Sequence, residues 1–384
     1  MKVLFSDRYL PQLLRDDEHP VGGWCVQLNL MLRALSQEGH HAGVLTWKGA
    51  NAYVGRQSIC DLIELPGTSE GLPKLRFFSH RVAGLLSATR AYAPDLLFQS
   101  CSGLDTGLMA FAAWWLNIPF VHRIAHDWDT NGGYRVYISG FDSAAFRYGL
   151  RRADLVVCQN AFQRDGLLAR YPEKSLLRLD NMIEVPRLTD GLMPRAGRGY
   201  VAWLGNFKFM KNVALLERMA RKLPHIEFRV AGGESPNLDQ ETTAALTGLK
   251  QMPNVRLMGY VKRNGVFPLL AGATALLCTS RAEGFPNTFL EALAMGTPVI
   301  TPAVVDPNSM IARNNLGLVS ADEAAMAANL QRLWSMAPGE FAELANRCRT
   351  YVVAHHSPAN VAKILVPALE QVVDKFRKNR KRAG

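Results

Sequence analysis

The sequence predicts an α/β protein made of two parallel sheets in tandem. Three observations predict it. Short apolar runs alternate with amphipathic helical stretches along most of the chain, as strands joined by crossover helices do. The alternation is interrupted once, over residues 186–199, where Pro186, Gly191, Pro194, Gly197 and Gly199 gather and large apolar groups are few. Such a stretch reads as an interdomain linker. A length of 384 residues suits two or three domains of roughly 150 residues each.

The elements follow in order. Residues 2–6 form an apolar first strand. After a polar loop a helix covers 24–37 and stops at Gly39, and 43–47 is the next strand. Residues 96–100, 104–116 and 120–125 make a strand–helix–strand unit, and 154–159 and 176–180 add strands. Beyond the linker the pattern restarts with strand 200–204, helix 212–222 and strand 227–231. Strands at 255–258, 275–279 and 298–301 follow, with helices near 265–271, 287–294 and 321–336. A last helix, 360–375, is long enough to pack back across the linker onto the first domain. The expected division is a first domain over 1–188, a linker over 189–199, a second domain over 200–359 and a basic tail over 376–384.

Composition excludes several classes. An apolar fraction of 48% argues against disorder or a disulfide miniprotein and fits a soluble chain with real cores. The net charge is +11, but six of the last ten residues are basic: Lys375, Arg377, Lys378, Arg380, Lys381 and Arg382. Such an end is either a solvated terminus or a contact for a polyanion, nucleic acid or anionic membrane. No aromatic and basic residues interleave on a strand face, so nucleic acid is not expected as a partner. The six cysteines are widely spaced, which excludes a zinc ribbon. Cys25, Cys101, Cys158 and Cys278 lie in apolar stretches, as buried reduced thiols do, which favours the cytoplasm. The longest apolar run, 107–116, is far short of a membrane span, so any membrane contact is expected to be peripheral.

The stretch 275–301 carries most of the chemistry. It reads strand, loop, helix, strand. Glu283 lies in the loop, Pro286 and Asn287 open the helix with Asn287 as its expected N-cap, and Gly296 ends it. The first amides of such a helix lack internal partners and make an anion site with the helix dipole. Glu291, one turn into the helix, can accept hydrogen bonds from a diol. Read from these residues alone, the alternative is a surface turn with two unrelated acids.

The stretch resembles the E-x7-E signature of the retaining glycosyltransferases of family 4, which have the GT-B fold: two Rossmann-like domains facing across a cleft. Glu283 and Glu291 match its two acids. The resemblance implies that Glu283 binds hydroxyls of the donor sugar, that Glu291 binds the nucleotide ribose, and that amides around Asn287, Thr288 and Phe289 hold the diphosphate. Three other segments match in order. Gly22-Gly23 opens the first long helix; glycine there permits close backbone approach to a phosphate, or makes a plain turn. His126-Asp127 ends a strand, and the resemblance puts His126 against the donor sugar. Asp127-Trp128-Asp129 spells a metal-binding Asp-x-Asp, but the resemblance implies no metal, and this one is read as coincidence. In 200–233 the family has Gly-Arg, a loop and Lys. Gly205 and Lys211 match, while Asn206 stands in place of the arginine, with Lys208 two residues on as a cation available instead.

The function implied is transfer of a hexosyl-type group, with retention and without a metal or other cofactor, from a nucleoside-diphosphate sugar to a glycan or lipid-linked acceptor in cell-surface polysaccharide or glycolipid synthesis. His126, Lys211 and Glu283 are the expected catalytic residues. Gly22, Gly23, Gly205, Asn206, Lys208, Asn287, Thr288, Phe289 and Glu291 are the expected donor-binding residues. The enzyme is expected in the cytoplasm, peripheral on the inner membrane face through 375–384. The alternatives are a non-catalytic sugar-nucleotide binder of the same fold, prompted by Asn206, and a sugar-nucleotide epimerase. The loop 9–24, with Asp16, Asp17, Glu18 and His19, matches no motif that names the acceptor.

Overall fold

A computed structural model of the chain describes residues 1–15, 22–55, 59–67, 70, 77–136, 138–188, 191–233 and 238–383. Residues 16–21 of the charged loop, 189–190 of the expected linker and 384 of the tail therefore lie outside the described residues. The chain divides into two compact units, residues 1–181 with 358–384, and residues 182–357.

The first unit is built on a parallel sheet of seven strands among the described residues: β1 (Lys2–Ser6), β2 (His41–Trp47), β3 (Asp61–Leu65), β4 (Leu96–Ser100), β5 (Phe120–Arg123), β6 (Leu155–Cys158) and β7 (Leu176–Arg178). They run in the order β3-β2-β1-β4-β5-β6-β7. Strands such as β1 and β4 are apolar on both faces and almost wholly buried, because helices cover both sides of a parallel sheet. Helix Leu104–Leu116 packs on helix Gly140–Arg152, and the close approach uses Gly107 and Gly149. A Cβ at Gly107 would lie 2.9 Å from the Ala145 carbonyl oxygen, and one at Gly149 would lie 2.8 Å from that of Thr106.

The C-terminal helix runs Pro358–Ala383 and belongs to this unit. It packs against helix Gly23–Gln37. Val361, Leu365, Leu369 and Val373 are buried along it, and Arg377 pairs with Asp95 at 2.5 Å. The helix continues well past the expected end at residue 375, so the basic cluster forms its last turns rather than a separate tail. Alternating Lys and Arg are good helix formers and nothing in 376–383 breaks the helix.

The second unit repeats the architecture with six strands: β8 (Tyr200–Leu204), β9 (Phe228–Ala231), β10 (Val255–Gly259), β11 (Ala273–Leu277), β12 (Val299–Pro302) and β13 (Gly317–Ser320). Their order is β10-β9-β8-β11-β12-β13, again all parallel among the described residues. In both sheets the order reverses beside the first strand, between β1 and β4 and between β8 and β11. Open parallel sheets bind ligands at the carboxyl ends of the strands flanking that reversal.

Two expectations are corrected. Cys101 is exposed, at a positive φ of 75° just after β4; the turn leaving the strand carries it out of the apolar run. Asn287 is the first helical residue and Pro286 takes the cap position with φ −66° and ψ 119°, because proline fixes φ where the helix begins.

Candidate functional site

The carboxyl ends of β8 and β11 meet at the reversal of the second sheet. The loop after β8 carries Gly205 and Asn206, then a 3-10 turn, Phe209–Lys211. Asn212 follows in the left-handed region (φ 48°), and its side chain accepts the Leu215 N–H at 3.3 Å, capping helix Val213–Lys222. Asparagine tolerates that conformation better than most residues, so the turn ends sharply and leaves Lys211 at the strand end. The Lys211 stem lies over Gly205, where a Cβ would stand 3.4 Å from Cδ. Beneath, a Cβ at Gly232 would sit 2.2 Å from the Gly205 carbonyl oxygen, so glycine at 232 is what lets β9 pass this close to the loop.

The loop after β11 is fastened to the same turn. Trp203 Nε1–H donates to Thr279 Oγ1 at 2.9 Å, and Thr279 donates to the Lys211 carbonyl at 2.7 Å. The Arg281 N–H donates to the Met210 carbonyl at 2.9 Å. These bonds bring Glu283 to Lys211: Nζ to Oε1 is 2.5 Å, and Ser280 Oγ donates to the same oxygen at 2.7 Å. Burial works to lower the Lys211 pKa, but the charge and hydrogen bond of Glu283 prevail and hold it above the ordinary value. The two side chains are 28% and 17% exposed. With Cys278, Ser280, Pro286 and Thr288 they line one pocket. A cation, a carboxylate and the first turn of an eight-residue helix thus share one recess, suited to a ligand with an anionic part and hydroxyls.

The other expected residues are placed as follows. Glu291 lies on helix Asn287–Ala294, its side chain 13% exposed and 3.8 Å from Arg263. Burial raises its pKa, and Arg263 opposes the rise. Phe289 is buried in the core, and its N–H already donates to the Pro286 carbonyl at 3.1 Å, so its amide is engaged within the helix turn. Asn206 is half-buried and Lys208 is exposed. Gly22 caps helix Gly23–Gln37 in the first unit, and a Cβ there would meet nothing within 4 Å. His126, also in the first unit, accepts the Trp128 N–H at Nδ1 (3.1 Å), which puts the ring proton on Nε2. Asp127 accepts from Asn160 at 2.8 Å and Gln163 at 2.9 Å, and Asp129 accepts the His126 N–H at 3.1 Å. Both carboxylates of the Asp-x-Asp are therefore held by amide donors. Among the described residues no group of three or more His, Cys, Asp or Glu side chains could hold a metal ion.

Sequence reasoning missed Ser280, Thr279 and Arg263. Ser280 stood three residues before Glu283, the spacing of a local side-chain turn. Arg263 gave no signal, since only the fold brings it beside Glu291.

Two family models match the chain. The family described as glycosyl transferases group 1 matches residues 198–336, and the glycosyl transferase 4-like domain matches residues 22–179. No curated protein matches at the level of sequence. Among solved structures, sucrose-phosphate synthase from Thermosynechococcus elongatus is similar with a TM-score of 0.77 and 18% identity, over 98% of this chain and 100% of that one. HepE from Anabaena, in complex with UDP and glucose, is similar with a TM-score of 0.73 and 13% identity, over 97% and 100%. WaaG, a glycosyltransferase involved in lipopolysaccharide biosynthesis, is similar with a TM-score of 0.68 and 18% identity, over 94% and 99%. At these identities the likeness shows the fold.

Proposed function

We propose that this chain, which belongs to the group 1 glycosyltransferases of GT-B fold, moves a sugar from a nucleoside-diphosphate donor to an acceptor hydroxyl with retention of the anomeric configuration. The observation that carries the reading is the Lys211–Glu283 pair beside the helix at Asn287, at the carboxyl ends of β8 and β11. The crystallisation of HepE with UDP and glucose supports a nucleotide-sugar donor.

Each residue has a task in this reading. The bond from the anomeric carbon to the diphosphate oxygen breaks, a bond from that carbon to the acceptor oxygen forms, and the acceptor's proton passes to the departing phosphate. Lys211, the amides of Asn287 and Thr288, and Lys208 where the family arginine is replaced by Asn206, stabilise the charge that develops on the diphosphate. Glu283 holds hydroxyls of the sugar, and Glu291 takes the ribose. The reaction uses no metal in this reading, since amides and lysines supply the counter-charge. The acceptor is a glycan or a lipid-linked acceptor at the inner face of the cytoplasmic membrane.

The test is turnover of the full chain against a panel of nucleotide sugars and acceptors, with the anomer of the product read by NMR. Lys211→Ala is expected to lower kcat by about 100-fold or more while the melting temperature without ligand shows a folded chain. His126→Ala is expected to lower kcat as well. A folded Lys211→Ala variant with wild-type turnover overturns the assignment. UDP binding with no turnover on any acceptor turns the reading to a non-catalytic binder.

A further inference from the structure

The first unit has a pocket of its own, of about 350 Å³, within the range of small-ligand sites. It lies at the carboxyl ends of β1, β2 and β3, against helix Leu104–Leu116, which follows β4. It borders the reversal between β1 and β4, at the carboxyl edge where an open parallel sheet takes ligands. Leu65, Leu85, Leu108 and Met109 make much of the wall apolar.

The polar groups are unevenly satisfied. Arg8 faces Asp105 at 3.5 Å, and Lys48 is held by Glu70 at 2.7 Å. Among the described residues Arg81 makes no ion pair, and its Nε, though buried, has no hydrogen-bond partner there. Thr46 is 2% exposed, and its hydroxyl is likewise without a partner among the described residues. Buried donors of this kind are uncommon and ask for an explanation. A water satisfies a hydroxyl but does not neutralise a guanidinium set against apolar walls. Arg81 is also carried on a six-residue π-helical turn, Phe77–Val82, which leads into helix Ala83–Tyr92. Turns of this kind are rare and gather at functional sites.

We propose that this pocket binds the anionic end, phosphate or carboxylate, of a ligand that also carries an apolar segment. Arg81 and Thr46 grip the oxygens, and the leucine wall takes the apolar part. Identifying this ligand as the acceptor rests on the glycosyl-transfer reading; the binding does not.

The experiment titrates the full chain by calorimetry with octyl phosphate, octyl glucoside, glucose 6-phosphate and, separately, UDP. Octyl phosphate is expected to bind most tightly, because it alone offers both the anion and the apolar chain. Arg81→Gln is expected to weaken it by about tenfold or more, and Arg81→Lys by less, since the charge remains. Thr46→Val is expected to weaken it while keeping or raising the melting temperature of the ligand-free chain, because it removes a buried unpaired hydroxyl. UDP affinity stays unchanged in all three variants. Equal binding of octyl glucoside and octyl phosphate, tighter binding of glucose 6-phosphate, or indifference to Arg81→Gln in a folded variant each overturns the proposal. Failure of wild type to bind UDP counts against the nucleotide-sugar reading and leaves the pocket result standing.

Discussion

At Glu291 a carboxylate with 13% of its side chain exposed faces Arg263 across 3.8 Å. That gap is wider than a direct hydrogen bond, so the arginine offsets only part of the desolvation and the pKa stays raised. The folded chain then holds this proton to higher pH than the unfolded chain. Above the ordinary carboxylate range the charge costs stability, and stability falls as pH rises through that window. Glu291→Gln is expected to melt higher than wild type, by a margin that widens as pH rises through and above the ordinary carboxylate range. It is also expected to bind UDP more weakly, because an amide is a poorer acceptor for a diol than a carboxylate. Calorimetric melts at several pH values and a UDP titration check both. A margin that shrinks with rising pH would contradict the linkage.

Elements reach the candidate site through fastenings that are themselves buried. Arg198, 2% exposed, donates to the carbonyls of Met193, Ala273 and Met295 at 3.0, 2.8 and 2.9 Å and to Thr297 Oγ1 at 2.7 Å. It joins the segment before β8 to the start of β11 and to the end of helix Asn287–Ala294, where a cation also suits the helix dipole. Burial pushes its pKa down to about 10, and the guanidinium stays charged at neutral pH. Arg198→Met strands these acceptors and is expected to cost about 3 kcal/mol or more, read from chemical denaturation. The motif on either side of this helix was legible in the sequence because its chemistry is local: strand, loop acid, proline, helix and glycine fall within 27 residues. Lys211 was marked through the family resemblance, which matches Gly205 and Lys211 between a strand and a helix. The links that set these groups together were not legible. Trp203 with Thr279 and Glu291 with Arg263 are separated along the chain and depend on the strand order. The pocket of the first unit was hidden too, because Thr46 and Arg81 come to line one pocket only through the strand order and a π-helical turn, neither of which periodicity reveals.

For the molecule as a whole, charge and connectivity matter most. The basic residues near the end of the chain lie on a helix, with Arg377 held by Asp95. Replacing Lys378, Arg380 and Arg382 with Gln is expected to weaken binding to liposomes containing anionic lipid, and the wild-type binding is expected to fade as salt is raised. Unchanged binding of the triple variant in a sedimentation assay would remove the helix end from the membrane contact. No helix among the described residues is long and apolar enough to cross a membrane. The first unit is also interrupted: residues 182–357 form the other unit before residues 358–384 rejoin it. On a ribosome, the partner of helix Gly23–Gln37 is therefore made only after residues 182–357. Synthesis of the intervening stretch takes roughly ten to thirty-five seconds at ordinary elongation rates. Throughout that delay the nascent first half has an uncovered greasy flank, which makes it a natural client for chaperones bound to the translating complex.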